Sequence, residues 1–219
     1  MATLKSGTYG SYYVSSFNES ESLNSEEQKI NALYIYSFLL NKGWNKESIS
    51  AMLGNMQAES SINPGRWQSD DVGNTSNGYG LVQWTPATKY INWCTELNIS
   101  PELMDSNLSR IVYEVENNLQ WIATEDFNFS FKEFSTNAKG LNVIQLAKAF
   151  LLNYERPANQ SDSVQVYRGE LALLWYEFLT GKTPSIPIEP KTKKQKYKFL
   201  LFNSNNRRKQ WIRNNSTNL

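Results

Sequence analysis

Apolar residues return every three or four positions along most of the first 180 residues and hardly ever alternate, which predicts helices with very little strand. Ile30, Leu33, Phe38 and Leu40 make the first such stripe. The run Ser25-Glu26-Glu27-Gln28 before it reads as a capping box with Ser25 as N-cap, and Gly43 closes the helix. Trp44 and Asn45 then read as staple and cap of a second helix, in which Ile49, Met52, Leu53 and Met56 form a clean stripe that stops before Asn63-Pro64-Gly65. Thr85-Pro86 supplies a cap and a proline at the first helical position, predicting a helix to about Leu97. Ser100-Pro101 repeats that signal for a short segment. Leu108, Ile111, Val112, Val115, Leu119 and Ile122 recur at helical spacing. Leu146, Ala147 and Phe150 mark a further helix ending before Pro157, and Tyr167, Leu171, Leu174, Trp175 and Phe178 mark the last, closed by Gly181. Six or seven helices are expected.

The remainder divides the chain. Residues 1–23, rich in Ser, Gly and Tyr without helical period, read as an N-terminal extension, an extended arm packed on the body or partly mobile. Residues 24–182 form the helical domain. Within it, "NPGRWQSDDVGNTSNGYG" at 63–80 reads as irregular turns or a short hairpin, and a loop this long inside a compact domain is often functional. "TPSIPIEP" at 183–190 is a proline-rich linker, and 191–219 is a basic C-terminal tail carrying Phe199, Leu200, Leu201, Phe202 and Trp211 among its charges.

Composition narrows the chemistry. With 219 residues, 40% of them hydrophobic, the chain can bury one core of ordinary size. The single cysteine, Cys94, rules out an internal disulfide and reads as a small core residue. There is no histidine, so Ser-His-Asp and Cys-His catalysis are excluded in their usual forms and zinc sites lose their commonest ligand. Proton transfer must fall to carboxylates, Lys, Tyr or Ser. No run of eighteen apolar residues occurs, and "MATLKSGTYGSYYV" lacks the regions of a signal peptide. The chain is expected to be soluble, without membrane insertion and not exported by its own signal. The net charge of +1 hides an asymmetry: nine basic residues and no acid follow Glu189, leaving residues 1–189 with a balance of −8. Such a tail suits nucleic acid, an anionic wall polymer or another protein, and equally a solubilising extension or a helix docking on the acidic body.

Glu59 is the candidate that the helical pattern isolates. At 100° per residue it falls roughly 70° from the centre of the Ile49 stripe, on the border of core and solvent. Partial burial and the negative end of the helix dipole both favour the protonated carboxyl there. A carboxyl that keeps its proton can serve as general acid in glycosidic cleavage, although a glutamate in a last turn is often only a solvated residue. "GYGLVQW" at 78–84 follows, with two glycines that let backbone approach a ligand, aromatics that can stack on sugars, and Gln83 with both donor and acceptor. Alone it could be a tight turn before a helix.

Taken together, "LGNMQAESSINPGRWQ", "GNTSNGYGLVQWTPATKYINW" and "NYERPAN" at 153–159, in this order and spacing, resemble the phage tail lysozymes over roughly residues 24–180. A helix-terminal Glu before a Gly-x-x-Gln segment is more distantly similar to goose-type lysozymes and soluble lytic transglycosylases. The resemblance implies a mostly α, lysozyme-like fold with a small irregular or hairpin region lining the cleft. It implies cleavage of the β-1,4 bond between N-acetylmuramic acid and N-acetylglucosamine in peptidoglycan, with Glu59 as the acid and no metal or cofactor. It also implies carriage on the virion, at a phage tail tip among other tail proteins, to breach the host wall for DNA entry.

For the second carboxylate, Asp70 and Asp71 lie in the polar loop, and Asp71 is favoured as the base that activates water. The alternative is attack by the sugar's own 6-hydroxyl, as in a lytic transglycosylase. Tyr79, Gln83 and Trp84 are the substrate-contact candidates, Trp84 also being placed to pack under the next helix. Glu155 and Arg156 read as a structural ion pair at a helix end; Tyr154 lines the cleft or fills the core, and Trp67 bounds the cleft or does not. A non-enzymatic wall-binding module remains the competing reading.

Overall fold

The computed structural model describes residues 1–182; the linker and basic tail expected at 183–190 and 191–219 lie outside the described residues. The chain is mostly helical. Among the described residues, a two-stranded antiparallel hairpin, β1 (Thr3–Gly7) and β2 (Gly10–Val14), precedes seven helices: α1 (Ser25–Asn41), α2 (Lys46–Ser60), α3 (Thr88–Glu96), α4 (Met104–Glu116), α5 (Phe131–Thr136), α6 (Val143–Phe150) and α7 (Asp162–Thr180). A single 3₁₀ turn spans Gln68–Asp70, and a π turn, Leu151–Glu155, continues α6.

The core is organised around α2. Ile49, Met52, Leu53 and Met56 are all fully buried, and so are Ser48, Ser50, Ala51, Gly54 and Asn55. A helix buried on nearly every side carries small residues because neighbours must cross it closely. Gly54 shows this: a Cβ there would lie 2.5 Å from the backbone nitrogen of Ala172 in α7. Full burial of the four large side chains stabilises the fold by roughly 1.5–3 kcal/mol each. Buried asparagines tie the other elements to this axis. Asn55 donates to the carbonyl of Ala147 in α6 at 3.1 Å. Asn31 of α1 donates to Tyr13 and Ile62 carbonyls, both at 2.8 Å, and so ties α1 to β2 and to the chain just beyond α2.

Several boundaries differ from the expected ones. The N-cap of α1 is Asn24, whose side chain accepts from Glu26 and Glu27 amides while Glu27 closes the capping box. Asn24 and Ser25 are both cap-type residues with an acid or amide three positions on, and the chain uses the first pair. Leu33 and Leu40 point to solvent, the buried face of α1 being Ala32, Tyr34, Ile35, Phe38 and Leu39. Helix α3 opens at Thr88 without a side-chain cap, and Thr85 instead donates its hydroxyl to the Gln83 carbonyl at 3.0 Å. Helix α4 ends at Glu116, leaving Leu119 and Ile122 exposed. In α7, Leu171 and Trp175 are buried but Tyr167, Leu174 and Phe178 are exposed; Arg168, Ala172 and Tyr176 take the inward positions instead. Residues 1–23 end in buried positions, Tyr12, Val14, Ser15 and Leu23, so the arm packs on the body. Among the described residues, no helix is long and apolar enough to cross a membrane.

Candidate functional site

Asn45 caps α2 by accepting from the Glu47 amide, and buried Trp44 precedes it, so the start of the helix is fixed as its sequence suggests. The helix runs to Ser60 and is closed by Ser61 in the left-handed region, which places Glu59 in the last turn with its side chain 23% exposed. Ser60 donates to Met56 at 3.0 Å and to the Leu81 carbonyl at 2.8 Å, joining the end of α2 to the GYGLVQW segment.

That segment is held from within. Tyr79 bridges to both Trp67 and Trp84, and Gln83 donates to the carbonyls of Arg66 at 3.1 Å and Gly80 at 2.8 Å. Gly80 has φ +85°, and a Cβ on it would meet the Asn107 amide oxygen at 2.6 Å. The close approach expected toward a ligand is therefore made to the protein's own interior. Ser61, Ile62, Ser69, Asp70 and Gln83 all adopt positive φ between 51° and 59°. Such backbone costs about 1–3 kcal/mol per residue, concentrates at functional sites and persists only where the surroundings dictate it.

The rings sit inside. Trp67 and Tyr79 have no exposed surface, their centroids 4.5 Å apart, and Trp84 stacks on Tyr90 at 4.3 Å. In this conformation neither Tyr79 nor Trp84 offers a face to a sugar, and Trp67 does not bound a cleft; together they support the loop from below. Tyr154 likewise belongs to the core. Gln83 is buried, and its Oε1, like the Tyr79 hydroxyl, has no hydrogen-bond partner among the described residues. Asp71 is exposed in the turn after the 3₁₀ segment and accepts from Asn74 at 2.7 Å and Asn77 at 3.2 Å, both on Oδ2. Asp70 pairs with Arg66 at 3.2 Å.

Two charged residues beside Glu59 escaped the sequence reading in this role. Arg168 of α7, itself buried, donates one arm of its guanidinium to Glu59 Oε1 and the other to the Asn55 carbonyl at 2.6 Å. Glu155, at the end of the π turn, has a buried side chain with its Oε2 3.9 Å from the same guanidinium, and among the described residues neither of its oxygens has a hydrogen-bond partner. The expected Glu155–Arg156 pair is not formed, because Arg156 turns to the carbonyls of Gln120 and Asn153. Burial pushes the Glu155 carboxyl well above its ordinary range, the neighbouring Glu59 adds to this, and Arg168 opposes it. The one available signal was local: Arg168 lies four residues before Ala172 and seven before Trp175, a lone cation on the inward face of α7. Among the described residues, no cluster of His, Cys, Asp or Glu is placed to hold a metal ion.

The decisive comparison covers this whole arrangement. The family model for phage tail lysozymes matches residues 30–179, which include Glu59, the GYGLVQW loop, Glu155 and Arg168. The chain belongs to the phage tail lysozyme family. It is also 51% identical over 166 residues to Morphogenesis protein 1 of Bacillus phage B103. That alignment takes in 76% of this chain and 44% of the relative, so the chain spans less than half the length of that protein. In this family member, then, the end of α2, the strained loop and the buried Glu155–Arg168 pair form one contiguous structural unit around Glu59.

Proposed function

We propose that this family member is a peptidoglycan-degrading glycosidase that cleaves the β-1,4 bond between N-acetylmuramic acid and N-acetylglucosamine. The observation that carries the reading is the position of Glu59: a partly exposed carboxyl at the end of a buried helix, joined through Ser60 to a loop held in costly backbone geometry. Glu59 gives its proton to the glycosidic oxygen as the bond to the anomeric carbon breaks, the general-acid step of glycoside hydrolysis. Asp71 takes a proton from the water that attacks that carbon; both of its bonds within the turn fall on Oδ2, which supports Oδ1 for this role. Gln83 supports the loop beside Glu59 through its bonds to the Arg66 and Gly80 carbonyls. No cofactor enters the scheme. The family and the phage relative support a virion location, and in this proposal the protein sits at the tail tip among other tail proteins, against the host wall.

Purified peptidoglycan digested with the wild-type protein and with Glu59→Gln provides the test, with released muropeptides read by mass spectrometry. Reducing muramic acid ends are expected from the wild type, and a loss of about 10²–10⁴-fold in the variant, whose fold is unchanged. Anhydro-muramic ends would assign attack to the sugar's 6-hydroxyl and release Asp71 from its role. Full activity in Glu59→Gln would remove the assignment.

A further inference from the structure

The pair of carboxyls around Arg168 raises a difficulty that the general-acid reading must meet. Glu59 bonds to a guanidinium that stabilises its carboxylate, whereas the acid step needs it protonated. A second carboxyl, Glu155, stands 3.9 Å from the same guanidinium, enclosed, with both oxygens lacking hydrogen bonds. Buried polar atoms are nearly always satisfied, so a doubly unpartnered carboxyl in a native interior calls for an explanation. Its place on a π turn adds to this, because such turns occur frequently at functional sites.

We propose that Glu155 is a positioning residue acting through Arg168, which alternates between the two carboxyls so that Glu59 is released from its ion pair when it must carry the catalytic proton. The proposal rests on the assignment of Glu59 as acid. In the resting arrangement Arg168 pairs with Glu59 as carboxylate, and Glu155 is the neutral acid. In the working arrangement Arg168 has moved to an ionised Glu155, and the proton that Glu155 gave up resides on Glu59. One proton and one guanidinium serve two carboxyls in both arrangements, so the charge of the cluster does not change. The charged groups acting on Glu155 are Glu59 from α2 and Arg168 from α7. Arg168 keeps its second arm on the Asn55 carbonyl, which gives the guanidinium a fixed point about which to turn. Substrate that covers the exposed edge of Glu59 disfavours its carboxylate and drives the exchange.

Glu155→Gln preserves shape and the neutral state while removing the second ionisable group. Arg168 then has one carboxylate to serve, and Glu59 stays pinned to it. The expected result is a fall in kcat of about tenfold or more with KM little changed, and an alkaline limb of the pH–activity profile moved toward acid by about one pH unit. Glu155→Asp, which can still ionise, restores part of both. A wild-type profile in Glu155→Gln, alongside an inactive Glu59→Gln, overturns this proposal alone. Full activity in Glu59→Gln overturns it together with the assignment on which it rests. Carbon-13 carboxyl shifts of the wild-type protein give a reading independent of any variant's folding: a Glu155 that stays protonated at pH values where an ordinary glutamate is ionised is expected, and a Glu155 that ionises with the ordinary glutamates refutes the exchange.

Discussion

Glu114 and Glu155 are two glutamates with buried side chains and opposite surroundings. Glu114 of α4 accepts from Trp84 Nε1 at 2.9 Å, Arg110 Nε at 2.8 Å and the Tyr154 hydroxyl at 2.6 Å, so both of its oxygens are engaged. Glu155 engages none by hydrogen bonding and faces a guanidinium already committed to another carboxylate. The first arrangement fixes structure: it clamps the GYGLVQW loop, α4 and the π turn to one point. The second is held in place by the fold around it while its own polar requirements go unmet, and such a group is available to do something else. A satisfied buried network rigidifies, and a partly satisfied one is a cost that natural structures carry mainly where function asks for it.

The largest expected effect breaks the satisfied side. Glu114→Ala leaves the buried indole nitrogen and Tyr154 hydroxyl and the partly exposed Arg110 guanidinium without their acceptor, and each buried donor left unpaired costs about 1–3 kcal/mol. Thermal unfolding should show a large fall in Tm. A loss of under about 1 kcal/mol would mean that the clamp is not structural and the contrast with Glu155 is false.

A smaller effect reads the unsatisfied side through pH. The Glu155 carboxyl is raised by burial first and by Glu59 second. With a folded-state value above the unfolded one, the folded protein binds more protons across that interval. Its contribution to stability is therefore complete below the ordinary carboxylate range and is lost as pH rises toward the folded value. Glu155→Gln has no such loss, so its stability relative to wild type should grow as pH rises from 4 to 8. Denaturant midpoints at those two values measure this, and a difference that shrinks with rising pH contradicts the raised carboxyl.

How far the sequence reveals this contrast depends on how local each part is. The stripe of α2, its Asn45 cap and the border position of Glu59 are written in neighbouring residues, and the helix they describe is present. The hexapeptide helix α5 has too few residues for a period, and only its Ser130–Glu133 capping box marks it. In α7 two interleaved apolar stripes compete, and α2 and α6 select the one carrying Ala172 and Tyr176, whose placement follows from partners far away in the chain. The Glu59–Arg168 bond spans 109 residues, and no periodicity encodes a contact of that kind. Aromatics in "GYGLVQW" read as sugar platforms because composition cannot distinguish a ring that faces a cleft from one that faces the core. Trp67 and Tyr90, contributed from either side of the segment, enclose Tyr79 and Trp84.

The smallest effect separates an orphaned atom that is only a cost from one kept for use. Tyr79 is fully enclosed, its hydroxyl has no partner among the described residues, and burial pushes the phenol well above its ordinary range, with Glu102 and Cys94 adding less. A buried donor without an acceptor costs about 1–3 kcal/mol, so Tyr79→Phe, which deletes only that oxygen, should leave stability unchanged or raise it by about 1 kcal/mol. If the hydroxyl is merely a cost, wall lysis by the variant equals that of wild type. If the loop opens to present Tyr79 to the glycan, the same variant is at least as stable yet loses activity. A clear loss of stability in Tyr79→Phe would instead reveal a partner for the hydroxyl and place Tyr79 with Glu114 among the satisfied groups. Melting and lysis measured on the one variant therefore assign Tyr79 to one side of the contrast or the other.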